Sequence, residues 1–510
     1  MTEREPARPA GPVAVQPVRT PIAWPALAGV SLLISVVLVA VSGRYGYSRD
    51  ELYFLRAGRE LAFGYVDQPP LTPVIARVAS ELFGDSLVGL RLASAVAAGL
   101  VVTCTGLLAR ELGGGRGTQM LAAAGIAVSA YLLAVGHLLS TSTFDLLGWA
   151  ALCWLAVRAL RDGGRSWLWV GAVAGIGLQN KLLVAFLLAG LLVGLLLVGP
   201  RAALRTRWPW LAGVIALALW APNLSWQAVN GWPQLELSAA IAAGSSGTSE
   251  PRWLFLPYQL VLVSPLLVPV WAVGLWRLAR DPLLRPFRAF AAAYVVLAVV
   301  FLATGGKPYY LAGLFPVLLA AGAEPTLRWV QRGTGRVRTA LLAGALTLSA
   351  AASAFLFLPL VPVEQLADTP ILAVNYDAGE TVGWPRFAQT VAGVYDGLPA
   401  EDRAGAVVLT RNYGQAGAID RYRADLDLPP VYSGHNSYVL WGPPPERAGT
   451  TIVVGYQRDR LLQWFGSVEL AARIDNGVGL DNEEQGNSVW VCRDRLASWA
   501  ELWPRVRRFG

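Results

Sequence analysis

The chain has 510 residues, of which 55% are hydrophobic and only 15% are charged, and its mean hydropathy is positive. This composition is too apolar for a soluble protein of that length, so the sequence predicts an integral membrane protein. The formal net charge of +8 does not indicate nucleic-acid binding, because residues 359–510 carry 14 arginines and no lysine against 19 acidic residues, a net charge of −5, which leaves +13 on residues 1–358.

Apolar stretches recur from about Trp24 to Leu358, each near the roughly 20 residues that a membrane helix needs. Sixteen arginines lie in five short loops between these stretches, at residues 110–116, 158–165, 201–207, 277–288 and 328–338. We place these loops in the cytoplasm, because cytoplasmic loops carry an excess of basic residues. Alternation then predicts eleven spans, at residues 24–42, 86–109, 118–136, 143–160, 166–180, 182–199, 208–225, 253–276, 287–304, 308–323 and 339–358. The N-terminus is expected in the cytoplasm and the C-terminus outside.

Three segments outside the spans have features of their own. Residues 1–23, rich in Pro and Ala, are expected to form a disordered cytoplasmic tail that leads into a retained first span. The external loop 43–85 holds two amphipathic helical stretches, at 50–62 and 71–83, of a kind that lies in the membrane interface. The loop 223–252 ends in a Gly- and Ser-rich segment and is a candidate lid.

After residue 358 the composition becomes that of a soluble domain, and we expect an extracytoplasmic α/β domain over residues 359–510. Short strands are predicted at 406–409, 451–454, 468–471 and 489–491, and a helix at 413–423. Its one histidine, His435, is interpreted as an ordinary loop residue. The three cysteines, Cys104, Cys153 and Cys492, suggest no disulfide framework.

Ionisable side chains collect at the predicted external ends of the spans, where it is costly for a charge to leave bulk water. The set comprises Arg49, Asp50 and Glu51 after the first span, Asp67 in the same loop, His137 at the end of the third span, Asp145 at the start of the fourth, Lys181 between the fifth and sixth, and Lys307 before the tenth. Lys181 and Lys307 are the two lysines of the chain, which otherwise uses arginine. They indicate either a role for a compact ammonium group or simple snorkelling to the interface. Asp50 and Glu51 fit either chemistry or the acidic first turn of a helix.

Carboxylates and cations gathered at one membrane face suit one class of reaction. An acceptor hydroxyl attacks a sugar that is linked through phosphate to a lipid. A carboxylate takes the hydroxyl proton, and cations stabilise the departing lipid phosphate. The pattern therefore favours transfer of a lipid-linked sugar outside the cytoplasm.

Two strings in the first external loop carry a resemblance to a known family. They are Tyr47-Ser48-Arg49-Asp50-Glu51-Leu52-Tyr53 and Gly64-Tyr65-Val66-Asp67-Gln68-Pro69-Pro70-Leu71. Further similarity lies in residues 137–145, 177–181 and 306–310. These strings resemble the signature of the GT-C glycosyltransferases of the protein O-mannosyltransferase and lipid A aminoarabinose transferase type. The resemblance reaches to about residue 325 and implies a GT-C fold.

The resemblance also implies roles for individual acidic residues. It maps the catalytic aspartate onto Asp50, with Glu51 as its neighbour. The acidic residue before the double proline maps onto Asp67, and the acid that opens the fourth span onto Asp145. Family members use a polyprenyl-phosphate or dolichyl-phosphate sugar and generally invert the anomeric centre.

This chain departs from the aminoarabinose branch at one position. That branch has a lysine directly before its double proline, where this chain has Gln68. Lys181 and Lys307 are candidates to supply the missing positive charge. The departure concerns the contact to the donor phosphate, and with it the identity of the sugar.

The sequence thus predicts an α-helical polytopic protein of the plasma membrane, with a GT-C domain over residues 24–358. We expect it to transfer a hexose or pentose from a polyprenyl-phosphate donor to a hydroxyl of an envelope glycan, lipid or protein, with no nucleic-acid partner. Asp50 and Glu51 are the predicted catalytic residues, and the predicted substrate-binding residues are Arg49, Tyr65, Asp67, Gln68, His137, Asp145, Lys181, Lys307 and Tyr309. The sequence identifies no cofactor with certainty and leaves a divalent metal near Asp50 and Asp145 open. Two rival interpretations are a transporter or flippase for a lipid-linked glycan and a non-catalytic envelope assembly subunit.

Overall fold

The structure is a computed structural model that describes residues 18–244, 251–332 and 335–510. Its first part is a bundle of helices with two surface helices, α2 and α3, between the first and second spans. The helices of this part are α1 Trp24–Ser42, α2 Arg49–Arg59, α3 Leu71–Phe83, α4 Leu87–Glu111, α5 Arg116–Ala127, α6 Ala130–Gly136, α7 Thr141–Asp162, α8 Ser166–Leu178, α9 Leu183–Leu197, α10 Trp208–Val229, α11 Pro233–Ala242, α12 Phe255–Val263, α13 Val268–Arg280, α14 Arg288–Thr304, α15 Phe315–Gln331 and α16 Gly335–Phe357. Short 3-10 helices occur at Arg201–Arg205, Arg252–Leu254, Pro265–Leu267, Pro282–Phe287 and Pro308–Leu314.

Each predicted span coincides with an apolar helical segment. In the described ranges, seven helical segments are long and apolar enough to cross a membrane. Two more candidates are bent pairs, α5 with α6 and α12 with α13, which bend by 60° and 84°. The last two, α8 and α9, are shorter, with 13 and 15 residues, and flank Lys181 as expected. The chain is a multi-pass membrane protein, as predicted.

The two bends meet at one serine. Ser264 lies between α12 and α13 with a positive φ of 77°, and its hydroxyl accepts a hydrogen bond from the backbone N–H of Ala130 at 3.2 Å. The same hydroxyl lies 3.3 Å from the carbonyl of Val128, at the break between α5 and α6, and 2.9 Å from the hydroxyl of Ser353. Since lipid offers no hydrogen bonds, a broken span needs such internal partners. The bends are therefore supported by the packing around them.

Both helices predicted in the first external loop are present. Ser48 caps α2 through a capping box with Glu51, which explains why the helix begins at Arg49. In α3, Val74, Val78 and Leu82 are exposed while the opposite face is buried. An apolar exposed face on a surface helix is typical of a helix that lies in the membrane interface.

The C-terminal part is built on a five-stranded mixed sheet. The strands are β1 Val407–Thr410, β2 Val431–Ser433, β3 Thr451–Val454, β4 Phe465–Arg473 and β5 Ser488–Arg495, in the order β2-β1-β3-β5-β4. β1 is parallel to both β2 and β3, whereas β5 is antiparallel to β3 and β4. The helices are α17 Ile371–Val374, α18 Trp384–Asp396, α19 Ala400–Arg403, α20 Tyr413–Tyr422, α21 Arg458–Leu461 and α22 Trp499–Val506, with 3-10 turns at Val363–Asp368, Tyr376–Thr381 and Asn436–Trp441. The predicted α/β domain is confirmed, with β2 as an additional strand.

The C-terminal sheet domain packs directly on the loop between the first and second spans, residues 43–85. Side chains of α2, including Leu52 and Phe54, share one hydrophobic core with Ile419 of α20 and Ile452 of β3. Two glycines let α20 approach α2 closely. A Cβ atom at Gly417 would lie 2.8 Å from the Cβ of Leu52, and one at Gly414 would lie 2.7 Å from the Cβ of Arg49. The loop and the domain therefore form one packed unit.

Two predictions fall partly or wholly outside the described residues. The Gly- and Ser-rich part of the candidate lid covers residues 245–250, and most of the predicted disordered tail covers residues 1–17. In the described part of the lid segment, α10 extends to Val229 and α11 follows from Pro233 to Ala242.

Candidate active site

Asp50 lies at the contact between the loop 43–85 and the C-terminal domain. Its Oδ1 accepts a hydrogen bond from the phenol of Tyr413 at 2.7 Å, although the two residues are 363 positions apart. The side chain is half-buried. One carboxylate oxygen is thus held by the C-terminal domain, which leaves the other oxygen for a substrate.

Glu51, the next residue, has a different environment. Its carboxylate is fully buried and accepts two hydrogen bonds from Arg91, at 2.8 Å from Nε and 2.7 Å from Nη2. It also accepts the backbone N–H groups of Ser48 and Leu139, both at 2.8 Å. Both oxygens are therefore occupied by the protein itself. These contacts favour a structural role for Glu51, which ties α2 to α4, over the predicted catalytic one.

Asp67 lies near the same domain contact as Asp50. Its Oδ1 accepts a hydrogen bond from the phenol of Tyr53 at 2.7 Å, and its Oδ2 accepts one from the amide of Asn436 at 3.4 Å. Burial raises the pKa of Asp67 to about 7, the nearby charge of Asp50 adds to that increase, and the Tyr53 hydrogen bond opposes it. Asp67 therefore changes its charge near neutral pH.

The membrane side of the site is formed by Lys181 and its neighbours. The ammonium of Lys181 donates a hydrogen bond to the hydroxyl of Ser142 at 2.9 Å and lies 5.0 Å from the centre of the Tyr309 ring. It interacts electrostatically with both Asp145 and Asp50. The carboxylate of Asp145 is buried, and its Oδ1 has no hydrogen-bond partner in the part of the chain that the structure describes. Ser142 and Asp145 belong to α7, which begins at the predicted motif 137–145.

Lys307 and Arg49 bring further positive charge to the group. Lys307 interacts electrostatically with Lys181, Asp50 and Asp377. Arg49 pairs with Glu483 of the C-terminal domain and also interacts with Asp50. The structure therefore brings together five residues that the sequence analysis singled out: Arg49, Asp50, Lys181, Lys307 and Tyr309.

Two of the predicted substrate-binding residues, Tyr65 and His137, make internal contacts, whereas a third, Gln68, does not. The phenol of Tyr65 donates to the carbonyl groups of Ala57 and Glu60, at 2.9 and 3.1 Å, and so closes the C-terminal end of α2. The ring of His137 contacts the carbonyl of Leu133 at 2.8 Å. Gln68 differs from both, because its buried side-chain amide has no hydrogen-bond partner in the described ranges. An unsatisfied buried amide at this position is the kind of group that a ligand satisfies.

The C-terminal domain supplies site residues that the sequence did not single out. Tyr413 contacts Asp50, and Asn436 contacts Asp67. Ser437 accepts the backbone N–H of Val66 at 2.9 Å and fixes the loop that carries Asp67. The one available signal was Asn412, which caps α20 with Gln415 in a capping box and therefore places Tyr413 at the first helical position. Nothing in the sequence shows that this position faces a loop more than 300 residues earlier.

The site does not contain a recognisable metal centre within residues 18–244, 251–332 and 335–510, where no three His, Cys, Asp or Glu side chains lie close enough to hold an ion. Asp50 is bonded to a tyrosine and Asp145 faces a lysine. The residues around Asp50 and Asp145 thus offer no ligand set for the metal that the sequence left open, and we assign it no step.

Two sequence comparisons point to the same group of enzymes. A family model described as dolichyl-phosphate-mannose-protein mannosyltransferase matches residues 67–226. An undecaprenyl phosphate-alpha-4-amino-4-deoxy-L-arabinose arabinosyl transferase of Pseudomonas fluorescens is 27% identical over 320 residues, which is 58% of this chain and 54% of the relative. One from Pseudomonas savastanoi is 28% identical over 292 residues, 53% of each chain. The aligned region spans about half the length of these curated relatives.

The structural likeness extends over nearly the whole chain. Crystal structures of ArnT from Cupriavidus metallidurans, apo and bound to undecaprenyl phosphate, match with TM-scores of 0.58 and 0.57 at 14% and 17% identity, and each match covers 92% of this chain and 98% of the other. The archaeal oligosaccharyltransferase AglB from Archaeoglobus fulgidus matches with a TM-score of 0.51 at 14% identity, covering 78% of this chain and 63% of that one. This chain has the GT-C fold. The predicted fold class and the predicted resemblance are both confirmed.

The family match covers one part of the site. Residues 67–226 include Asp67, His137, Asp145 and Lys181, but the match begins after Asp50. The first-loop motif and the contact with Tyr413 are the observations that support a role for Asp50.

Proposed function

We propose that this protein transfers a sugar from a polyprenyl-phosphate donor to an extracytoplasmic acceptor hydroxyl, with inversion at the anomeric carbon. The observation that carries this proposal is the position of Asp50. A half-buried carboxylate, held at one oxygen by Tyr413, faces the two lysines of the chain. This arrangement places a proton acceptor beside a cationic group that suits a phosphate.

The chemistry needs one proton acceptor and one charged leaving-group site. Asp50 takes the proton of the acceptor hydroxyl as the hydroxyl oxygen bonds to the anomeric carbon. The bond between that carbon and the lipid phosphate breaks, and its electron pair leaves with the phosphate. Lys181 and Lys307 stabilise the negative charge that grows on the phosphate, an effect that is strong where water is excluded. No redox cofactor enters this scheme.

The remaining predicted residues have supporting places in the proposal. Asp145, buried beside Lys181, positions the ammonium group. The unsatisfied amide of Gln68 donates to the sugar or its phosphate, since a buried amide gains most from a new partner. Arg49 is a third cationic contact, already paired with Glu483. Tyr309 supports Lys181 through its ring face.

The relatives support a polyprenyl-phosphate donor. The Pseudomonas relatives are named for an undecaprenyl phosphate donor, and one ArnT structure is bound to undecaprenyl phosphate. The sugar of this chain is a pentose or a hexose, and the acceptor is an envelope glycan, lipid or protein. Gln68 marks the place where the donor preference of this chain differs from the aminoarabinose branch.

We also propose an orientation in the plasma membrane. The arginine-rich loops favour a cytoplasmic N-terminus, a GT-C domain over residues 24–358 and an extracytoplasmic domain over residues 359–510. Single cysteines introduced into a cysteine-free variant test it with a membrane-impermeant reagent. Residues 110–116 should react only after lysis and residue 440 in intact cells. The reverse pattern at residue 440 would remove the active site from the outer face.

The activity is tested by mass spectrometry of envelope glycans, lipids and glycoproteins from a deletion strain. One sugar modification should disappear, return with the wild-type chain and stay absent with Asp50→Asn. Restoration by Asp50→Asn would favour an assembly subunit over an enzyme. Accumulation of an unflipped lipid-linked glycan in the cytoplasmic leaflet of the deletion strain would favour a transporter.

A further inference from the structure

A polar pocket opens in the C-terminal domain where the parallel strands end. It lies at the carboxyl ends of β1 and β3, and its lining includes Arg411, Asn412, Gln415, Glu483 and Arg508. Ligands of open α/β sheets commonly bind at the carboxyl ends of the parallel strands. The pocket is separate from Lys181 and Lys307, because none of its lining residues comes from the membrane bundle.

The polar groups at the floor of the pocket already have hydrogen-bond partners within the protein. Asn412 accepts the backbone N–H of Gln415 at 2.8 Å and donates to Glu484 at 2.9 Å. Gln415 accepts the backbone N–H of Arg411 at 3.0 Å and donates to Glu484 at 2.6 Å. The first amides of α20 therefore have partners inside the domain. Any ligand of this pocket is held by the side chains on its walls.

Two arginines on the walls form no ion pair with an acidic side chain. Within the described residues, no Asp or Glu carboxylate lies within ion-pair distance of Arg411 or Arg508. The Nε of Arg508 donates to the main-chain oxygen of Gly510 at 3.3 Å, and Glu483 attracts Arg508 electrostatically. Glu483 is the acidic residue of the pocket, and it pairs with Arg49. The guanidinium groups of Arg411 and Arg508 repel each other electrostatically. An anion between them would relieve this repulsion, and guanidinium groups suit phosphate and carboxylate oxygens.

His435 links this pocket to the catalytic carboxylate. It is buried, with 5% of its surface exposed, and its Nδ1 accepts the backbone N–H of Tyr413 at 3.3 Å. Its backbone pairs with Arg508 in an isolated parallel β-bridge. Burial and the charges of Arg508, Arg49 and Arg411 lower its pKa to about 3, so the imidazole is neutral. Asn412 of the pocket lining directly precedes Tyr413 in the sequence, and the phenol of Tyr413 donates a hydrogen bond to Asp50.

We propose that this pocket binds an anionic group of the acceptor, a phosphate or a carboxylate, through Arg411 and Arg508. This inference rests on the proposed function and adds the chemical class of the acceptor. The donor phosphate is assigned to the lysines on the membrane side, so an anion on the domain side belongs to the molecule that presents the hydroxyl to Asp50.

The direct test measures binding of inorganic phosphate to the purified full-length protein by isothermal titration calorimetry. The double variant Arg411→Gln and Arg508→Gln should bind phosphate at least about tenfold more weakly, since each guanidinium contact to an anion is worth on the order of 1.4 kcal/mol or more. Arg458→Gln, an exposed arginine of the same domain, is the matched control and should bind as the wild type does. Melting temperatures of all three confirm that each is folded.

A second arm separates the acceptor from the donor as the source of the anion. The double variant should raise KM about tenfold for an acidic acceptor and leave the Kd of the polyprenyl-phosphate sugar unchanged. Equal phosphate binding by the wild type and the double variant, or a loss confined to the donor Kd, would overturn the inference. The calorimetry is repeated in Asp50→Asn, where phosphate binding should persist. If Asp50→Asn still transfers sugar, the proposed function fails while the phosphate comparison remains valid.

Discussion

The two sides of the candidate active site carry different kinds of side chain. On the membrane side, lysines at the ends of apolar helices bring positive charge to Asp50. On the domain side, Tyr413 and Asn436 are neutral hydrogen-bond donors that hold Asp50 and Asp67. The membrane side therefore supplies positive charge, and the domain side supplies the hydrogen bonds that fix the position of the carboxylates. The membrane side suits the stabilisation of a leaving phosphate, and the domain side fixes the carboxylates that we propose to act on the acceptor.

The same contrast appears within two adjacent residues of α2. Asp50 points to the domain and keeps one oxygen available, whereas Glu51 points into the protein and gives both oxygens to Arg91. Consecutive helical residues differ by about 100° in direction, because a turn contains 3.6 residues. In our proposal, one residue of this acidic pair serves the chemistry and the other the structure.

The largest expected effect on stability comes from the buried pair of Glu51 and Arg91. Glu51→Gln leaves the guanidinium of Arg91 buried without a counter-charge, which should lower the free energy of unfolding by about 3–5 kcal/mol. Thermal unfolding in detergent measures the loss. Glu60→Gln, at the exposed C-terminal end of the same helix, is the matched control and should change stability by less than about 1 kcal/mol. A stable Glu51→Gln variant with strongly reduced turnover would return Glu51 to a catalytic role.

The lysines test the membrane side of the comparison. Lys181→Met and Lys307→Met should each reduce turnover by about 10²-fold, with a smaller effect on donor binding, because a positioned cation acts most on the charge of the transition state. The double variant should lose less than the product of the two losses if both lysines hold the same phosphate. Radiolabelled sugar transfer per folded molecule provides the measurement. Normal transfer by both Met variants would identify the lysines as snorkelling residues and make Arg49 the next candidate.

The domain side is tested by a smaller change. Tyr413→Phe removes the hydrogen bond to Asp50 and keeps the aromatic packing against Tyr53, whose ring centre lies 5.0 Å away. We expect kcat to fall about tenfold, which corresponds to the roughly 1.4 kcal/mol of one hydrogen bond to a charged group. Tyr395→Phe, in the same domain and away from the site, should leave kcat unchanged. An unchanged kcat in Tyr413→Phe would show that Asp50 needs no support from the domain.

A further test concerns the pH dependence of stability through Asp67. Because burial raises its folded-state pKa to about 7, above the ordinary value of 3.8, its contribution to stability is fully present below about pH 4 and is lost as the pH rises through 7. The melting temperature of the wild type relative to Asp67→Asn should therefore fall between pH 4 and 7 and then level off. Asp396→Asn, an exposed carboxylate variant, is the control. A constant difference over this range would contradict the raised pKa.

The sequence predicted the membrane side of this molecule better than the domain side. The spans, the two loop helices and the gathering of Asp50, Lys181 and Lys307 follow from local patterns: apolar length, arginine-rich loops and the ends of helices. Tyr413 and Asn436 could not be found this way, because their contacts depend on how α20 docks on α2. The strand β2 was not predicted from the sequence, because it has three residues and directly follows two prolines.

The buried pair of Glu51 and Arg91 shows a second limit of sequence reasoning. The motif places Asp50 and Glu51 together but does not state which one faces the substrate. Arg91 was not singled out, since an arginine near the start of α4 is also expected to lie in the membrane interface. Only the structure shows that the side chain of Arg91 is fully buried and paired with Glu51.

The central claim is that Asp50 is the general base, and it is tested most directly by single-turnover sugar transfer with the purified Asp50→Asn variant. The substitution keeps the shape of the side chain and its hydrogen bond with Tyr413, and it removes the proton acceptor. We predict that the rate of transfer from a polyprenyl-phosphate sugar falls by about two to four orders of magnitude while the Kd of the donor stays within about threefold. Transfer at a near-normal rate by Asp50→Asn would contradict the account.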